Sequence, residues 1–374
     1  MNFELSEEQQ MVADSIERFV QENYALETRT AIVAGKPGFS TDYWKTMSEL
    51  GWFGLSFSED DGGFGGNQID TMVLMEQFGK GLVVEPFMAS VVLGGGALKR
   101  AANSDQKKAW LEGVIDGSKQ LALAYMEPEA GDEPRYAAVA GTPSGDGYQI
   151  TGTKCMVLSG ASADGFVVSF RTSGGTVDES GITLAVIPAD REGLSVNGFP
   201  TVDGLQSSEL TFDKVAINKE DILGEVDHGF ATLNATINDG ILAIAAEAVG
   251  AMEVLYKDTV EYTQERKQFD QSLADFQVLQ HRMVDMFVEY ETCKSMLIRA
   301  TIEASTDGED TQRNIHALKH LIGKAAFFVG ENAVQTHGGM GVTEELRIGH
   351  YFKRLLVIEA QFGNTDYHLD LFAA

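Results

Sequence analysis

The chain has 374 residues, with 28 Lys and Arg against 56 Asp and Glu and a formal net charge of −28. Apolar residues make up 44% and charged residues 22%, a globular composition, and at roughly 150 residues per domain the length predicts two or three domains. The acid excess argues against a nucleic-acid backbone binder, because no basic face is available to release phosphate counterions, and against an anionic membrane surface. Cys155 and Cys293 are too few for a disulfide framework or a zinc cluster and fit a reducing compartment. The stretch Met1-Asn2-Phe3-Glu4-Leu5-Ser6-Glu7-Glu8 is acidic and helix-like, without the basic and apolar regions of a signal peptide. No apolar run reaches 18 residues. These features predict a soluble, cytoplasmic protein.

The first ~115 residues read as helices. Ser6 and Gln9 form a capping-box pattern, followed by Met11, Val12, Ile16, Phe19 and Val20 at helical spacing. A second helix carries Trp44, Met47 and Leu50, and a glycine-rich loop, Gly62-Gly63-Phe64-Gly65-Gly66, leads to a third over 68–78. Two more follow over 89–99 and 104–116. Near Gly117 the period changes. Short runs such as Phe166-Val167-Val168-Ser169-Phe170 and Ile182-Thr183-Leu184-Ala185-Val186-Ile187 predict an antiparallel barrel or sandwich of ~100 residues. From Gly229 four long helices are predicted, over 229–264, 276–304, 311–337 and from 344 onwards, with Asp307-Gly308-Glu309-Asp310 as a loop. They read as a bundle. The division is 1–117 helical, 118–226 β, and 227–374 a four-helix bundle. The fold class is thus mainly α with a central β domain.

This order, with its motifs, resembles the acyl-CoA dehydrogenase family over the whole chain. The likeness rests on Leu50-Gly51-Trp52-Phe53-Gly54 with the glycine-rich loop, Tyr125-Met126-Glu127-Pro128, Glu265-Arg266-Lys267-Gln268-Phe269 with Phe276-Gln277, and Gln335-Thr336-His337-Gly338-Gly339-Met340-Gly341. The resemblance implies FAD held between the β domain and the bundle, with Arg-x-x-Phe and Gln-x-x-Gly-Gly reaching the adenosine diphosphate half of a neighbouring protomer's flavin. Arg266, Phe269, Gln277, Gln335, Gly338 and Gly339 are the cofactor residues so implied. A guanidinium offers a planar fork to a pyrophosphate, and bare glycines let backbone N–H groups approach phosphate. Taken alone, Gly338-Gly339 also reads as an ordinary helix C-cap. The implied reaction is α,β-dehydrogenation of an acyl-CoA thioester, with electrons passed to an electron-transferring flavoprotein.

The sequence departs from the family where the base is expected. Phe362, within Ile358-Glu359-Ala360-Gln361-Phe362-Gly363-Asn364, occupies the usual place of the catalytic glutamate, and Gly240 occupies the alternative place on the first bundle helix. Asp239 is the neighbouring candidate base; its plain reading is a first-turn helix residue favoured by the macrodipole. Glu247, an acid among small apolar residues, reads as half of a structural salt bridge. Glu359 reads as a solvent-facing helix acid. Met126 stands where the family usually has Thr, Met156-Val157-Leu158 where it has Trp-Ile-Thr, and Asp132 where a small serine often meets substrate.

His350-Tyr351-Phe352-Lys353-Arg354-Leu355, Phe362-Gly363 and Phe276-Gln277-Val278-Leu279-Gln280-His281-Arg282 are similar to the small subunit of pimeloyl-CoA dehydrogenase and related bacterial steroid side-chain dehydrogenases. That resemblance implies a heterotetramer of homologous subunits, with the base supplied in trans and a dicarboxylic or bulky alicyclic acyl group as substrate. The alternatives are a self-sufficient homo-oligomer using Asp239 and a non-enzymatic acyl-CoA or flavin-binding scaffold. Seven histidines show no metal-ligand spacing, and His316 with His320 reads as a helix face.

Overall fold

The computed structural model describes residues 5–306 and 308–374; the readings made on Met1–Glu4 and on Asp307 lie outside them. Ser6 and Gln9 exchange two hydrogen bonds of 3.1 Å, each side chain accepting from the other's backbone N–H. That capping box satisfies two of the orphan donors of the first turn and starts α1 (Glu7–Asn23). Then come α2 (Leu26–Ala34), α3 (Thr41–Glu49) and α4 (Gln68–Gly81). A wide π-type stretch, Met88–Gly95, runs into α5 (Gly96–Ala101), followed by the short α6 (Ser104–Gln106) and α7 (Glu112–Ile115). The middle of the chain holds β1 (Leu121–Ala124), β2 (Ala140–Ser144), β3 (Gly147–Leu158), β4 (Gly165–Arg171), β5 (Ile182–Pro188), β6 (Leu194–Pro200), β7 (Gln206–Ile217) and β8 (Ile222–Leu223). Next are α8 (Phe230–Glu265), a hairpin of β9 (Lys267–Gln268) and β10 (Gln271–Ser272), then α9 (Gln277–Ser305), α10 (Thr311–His337), α11 (Arg347–Ala360) and α12 (Thr365–Ala373).

The chain divides into two compact units that interleave in sequence. One comprises residues 32–67 and 84–240. Its sheet runs β6-β7-β3-β2-β4-β5-β8, with β1 beside β4. The expectation of a wholly antiparallel sheet needs correction: β1 runs parallel to β4, with Leu121 opposite Gly165 and Ala124 opposite Val168. Every residue of β4 is buried, the reading of a strand covered on both faces. Phe166, Val168, Phe170, Ile187, Leu210 and Phe212 form the heart of this core. Within it Lys154, fully buried, donates to Glu127 at 2.7 Å, to the Tyr125 carbonyl at 2.9 Å and to Ser169 at 3.1 Å. Glu127 also accepts from the N–H groups of Ala138 and Val139. One charged pair therefore ties β3, β4 and the 125–139 segment together.

The other unit comprises the chain through Ala31, residues 68–83, and residues 241–374. Two glycines let α4 and α8 touch backbone to backbone: a Cβ at Gly79 would lie 2.0 Å from the Glu247 carbonyl oxygen, and one at Gly250 would lie 2.0 Å from that of Glu76. The carboxylate of Glu247, 5% exposed, meets the guanidinium of Arg354 on α11 in two hydrogen bonds of 2.6 and 2.7 Å. Two differences from the sequence reading stand out. The segment α2 was not anticipated; its Arg29 is buried and donates to the Leu82 carbonyl at 2.9 Å. The last bundle helix is two, because Phe362 (φ +60°) and Gly363 (φ +101°) turn the chain out of helical geometry. Among the described residues no helix is long and apolar enough to cross a membrane.

Removing one partner of a fully buried ion pair leaves the other desolvated and unmatched. Lys154→Ala should cost about 3–5 kcal/mol in denaturant unfolding; a loss below about 1 kcal/mol would show that the pair does not hold the sheet.

Candidate functional site

The C-terminal end of α8 is closed by Ser272, whose hydroxyl donates to the carbonyls of Thr263 and Gln264 at 2.7 and 3.1 Å. From there β9 and β10 pair in register, Gln268 opposite Gln271 and Lys267 opposite Ser272. Two residues remain for the turn, Phe269 (φ +54°) and Asp270 (φ +63°), both left-handed. Two positive φ values in a two-residue loop define a type I′ turn, which favours Asn-Gly. A phenylalanine there carries a steric cost of about 1–2 kcal/mol. Its ring is 87% exposed and touches Phe276 edge-on at a centroid distance of 6.2 Å. Arg266, at the foot of the hairpin, is exposed and its guanidinium makes no hydrogen bond or ion pair among the described residues.

A second limb lies at the end of α10. Gly338 caps that helix with φ +61°, and its N–H donates back to the carbonyls of Val334 and Gln335. A Cβ built on Gly338 or Gly339 would meet no atom within 4 Å, so the turn presents bare backbone to open space. Gln335 and Gln277 are exposed, with their amides unengaged among the described residues. The two limbs adjoin: Tyr262, one turn before Arg266, stacks on His337, next to Gly338, at a centroid distance of 4.3 Å. A free guanidinium, free amides, a glycine turn with no side chain over it and an uncovered ring suit a dinucleotide, with the pyrophosphate on the guanidinium and against the glycine backbone, and the ring against a heterocycle.

The carboxylates are arranged in the opposite way. Asp239 lies well inside α8 (Phe230–Glu265) rather than in its first turn, so the macrodipole reading fails; it accepts from Arg100 Nη2 at 2.6 Å within the β-sheet unit, where Arg100 is held in turn by the Gly96 carbonyl at 3.0 Å. Glu247 is spent on Arg354. Glu359 is half-buried rather than solvent-facing, and its Oε1 accepts from the N–H and hydroxyl of Thr365 at 2.9 and 2.8 Å, starting α12.

At Phe362, which the resemblance sets against the family's glutamate, the turn is locked by one buried lysine and by imidazoles. Lys319, fully buried, donates to the carbonyls of Glu359 and Gly363 at 2.7 Å each. His368 donates from Nε2 to the Phe362 carbonyl at 2.8 Å, since a carbonyl can only accept. Its Nδ1 then accepts from His316 Nδ1 at 3.0 Å, and Gln312 completes the chain to His316 Nε2 at 3.0 Å. Burial pushes His368 down to about 4, so the ring is neutral at pH 7. In the sheet unit, Met156 sits with φ +50° at the bulge between Lys154 and Val157, and the Met126 carbonyl accepts from the Cys155 N–H at 2.9 Å. Among the described residues no group of three or more His, Cys, Asp or Glu could hold a metal ion.

Family models described as the N-terminal, middle and C-terminal domains of acyl-CoA dehydrogenase match residues 6–118, 122–215 and 227–374. The chain belongs to the acyl-CoA dehydrogenase family. It is 28% identical over 371 residues, 98% of this chain and 97% of the relative, to the "Probable acyl-CoA dehydrogenase YngJ" of Bacillus subtilis (strain 168). Among solved structures, PigA with FAD and proline superposes with a TM-score of 0.92 at 26% identity, covering 100% of this chain and 98% of that one. A variant of the Tcur3481-Tcur3483 steroid ACAD superposes with a TM-score of 0.89 at 25% identity, covering 98% and 97%. The protein is thus an oxidoreductase of the acyl-CoA dehydrogenase type, and its cofactor is FAD.

Sequence reasoning did not reach Arg100 or Lys319, which lie 139 and 40 residues from the groups they hold; no local signal marks them. His337 lies inside the 335–341 motif, but the motif itself gives it no role. Because the folded state binds no proton on His368 between its ordinary 6.5 and about 4 while the unfolded chain does, stability falls as pH drops through that window, by up to about 3 kcal/mol. His368→Gln should remove most of that acid slope in unfolding titrations; an unchanged slope would show that the turn does not depend on a neutral imidazole.

Proposed function

We propose that this chain completes the flavin site of a neighbouring homologous subunit in an acyl-CoA dehydrogenase assembly, and that the α-proton is taken by a carboxylate of that neighbour. One contrast carries the reading. The side chains suited to an adenosine diphosphate moiety, Arg266, Phe269, Gln277 and Gln335, are exposed and unspent, and Gly338 and Gly339 present exposed backbone with no side chain over it, whereas Asp239, Glu247 and Glu359 are each engaged by a guanidinium or by a helix start. Oxygens accepting charge-assisted bonds near 2.6 Å take no proton from substrate unless the pair opens.

In the reaction the α C–H and β C–H bonds break and the Cα=Cβ bond forms. The α-proton goes to the carboxylate. FAD supplies the two-electron acceptor for the β hydrogen, which leaves as hydride. This chain's part is to grip and orient: Arg266 would balance pyrophosphate charge, the exposed Gly338-Gly339 backbone would let phosphate oxygens approach closely, and Phe269 would cover apolar cofactor surface and exclude water. Electrons then leave for an electron-transferring flavoprotein. The acyl group is dicarboxylic or bulky alicyclic, a reading supported by similarity to the steroid ACAD at 25% identity.

Purified alone, the chain should hold little FAD. Captured through a tag on this chain together with a co-encoded homologue, the assembly should show the visible flavin bands and bleach with acyl-CoA. Full flavin content and turnover in a homomer would overturn the proposal. The Asp239→Asn assembly should keep turnover within about threefold of the parent, less than 1 kcal/mol in barrier; abolished turnover with flavin retained would assign the base to Asp239 in a self-sufficient enzyme.

A further inference from the structure

His337 stands between the two limbs of the clasp and belongs to neither. It is 6% exposed, in the last turn of α10. Its Nδ1–H donates to the Ala333 carbonyl at 2.8 Å, which fixes the tautomer. Its ring lies on that of Tyr262 with 4.3 Å between centroids and 28° between planes. Burial holds the imidazole below its ordinary value, which favours the neutral ring at pH 7.

Each limb is also rooted in one of the two rings. Tyr262 accepts at its carbonyl from the Arg266 N–H at 2.9 Å, and the Arg266 carbonyl accepts from Leu273 at 2.9 Å, so the hairpin hangs from the Tyr262 turn. On the other limb Gly341 is buried, and a Cβ there would lie 3.1 Å from His337 Cβ and 2.7 Å from the Val334 carbonyl oxygen. The Gly338–Val342 turn thus folds back directly against His337. The stack of Tyr262 on His337 therefore joins the root of the hairpin to the root of the glycine turn and bears directly on the distance between the Arg266 guanidinium and the Gly338-Gly339 backbone.

We propose that His337 is a positioning residue of the flavin clasp: stacked on Tyr262 and bonded to the Ala333 carbonyl, it sets the spacing at which the Arg266–Phe269 hairpin and the Gly338-Gly339 turn together fit one dinucleotide. This rests on the reading that those residues grip FAD. The consequence is selective. A flavin lacking the adenosine half, such as FMN, does not span both limbs and has little need of their spacing.

The test uses the assembly captured through a tag on this chain, stripped of flavin and titrated with FAD and with FMN by fluorescence quenching. His337→Ala and Tyr262→Leu should each weaken FAD binding by about tenfold, with FMN changed by less than about twofold. The double variant should bind FAD no worse than the weaker single one, because both remove the same contact. His337→Phe, which keeps a ring but loses the Nδ1–H bond, should recover part of the affinity, and it carries the comparison if His337→Ala does not assemble. Equal losses for FAD and FMN, in step with thermal stability, would reduce His337 to a structural residue. FAD affinity unchanged in both single variants while Arg266→Ala loses about tenfold overturns the positioning role but leaves the clasp. FAD affinity unchanged in Arg266→Ala as well overturns the clasp and this inference with it.

Discussion

The arrangement depends on a two-residue turn that an isolated chain has no reason to keep. Phe269 and Asp270 both adopt left-handed backbone, and the phenyl ring is left 87% in water. Asn-Gly would make the same hairpin without the steric cost and without exposing a ring. Local strain and an uncovered aromatic at one position fit the proposed contact with another molecule. The hairpin is also firmly footed, by Ser272 on the end of α8 and by the Arg266 backbone. The backbone that carries the ring and the guanidinium is therefore ordered by the chain's own bonds, which would lower the ordering cost of binding.

The acidic groups follow the reverse logic. In a chain of net charge −28, carboxylates are abundant, but those at candidate catalytic positions are fixed by Arg100, Arg354 and the Thr365 helix start. The turn around Phe362 is equally committed, with Lys319 and His368 holding its carbonyls. A buried, bidentate pair such as Glu247–Arg354 fixes α8 against α11 and leaves no proton acceptor. Free cofactor donors beside spent acids are consistent with a division of labour between subunits.

Much of the fold was legible because periodicity and caps are local. The Ser6–Gln9 box, the 311–337 helix and the change of period near Gly117 all appear in the sequence as they do in space. The helix Leu26–Ala34 was missed because its amphipathic signal is weak and its one buried anchor is an arginine. The break at Phe362 was missed because a phenylalanine gives no turn signal; its stop is imposed by Lys319, His368 and Gly363. Parallel pairing of Leu121–Ala124 with Gly165–Val168 is invisible to strand patterning, which reports burial but not direction. At the site, the clasp residues were named from motif alone, while the strained turn, the His337–Tyr262 stack and the Arg100–Asp239 pair depend on contacts that span the chain.

The central claim is that this chain lends its clasp to a neighbour's flavin. It is tested most directly by a cryo-electron microscopy map of the FAD-loaded assembly captured through this chain. The account predicts the pyrophosphate of a flavin seated mainly in the neighbouring subunit within hydrogen-bond reach of Arg266 and against the Gly338-Gly339 backbone. A flavin wholly enclosed by one protomer, with Arg266 and Phe269 left in solvent, would contradict it.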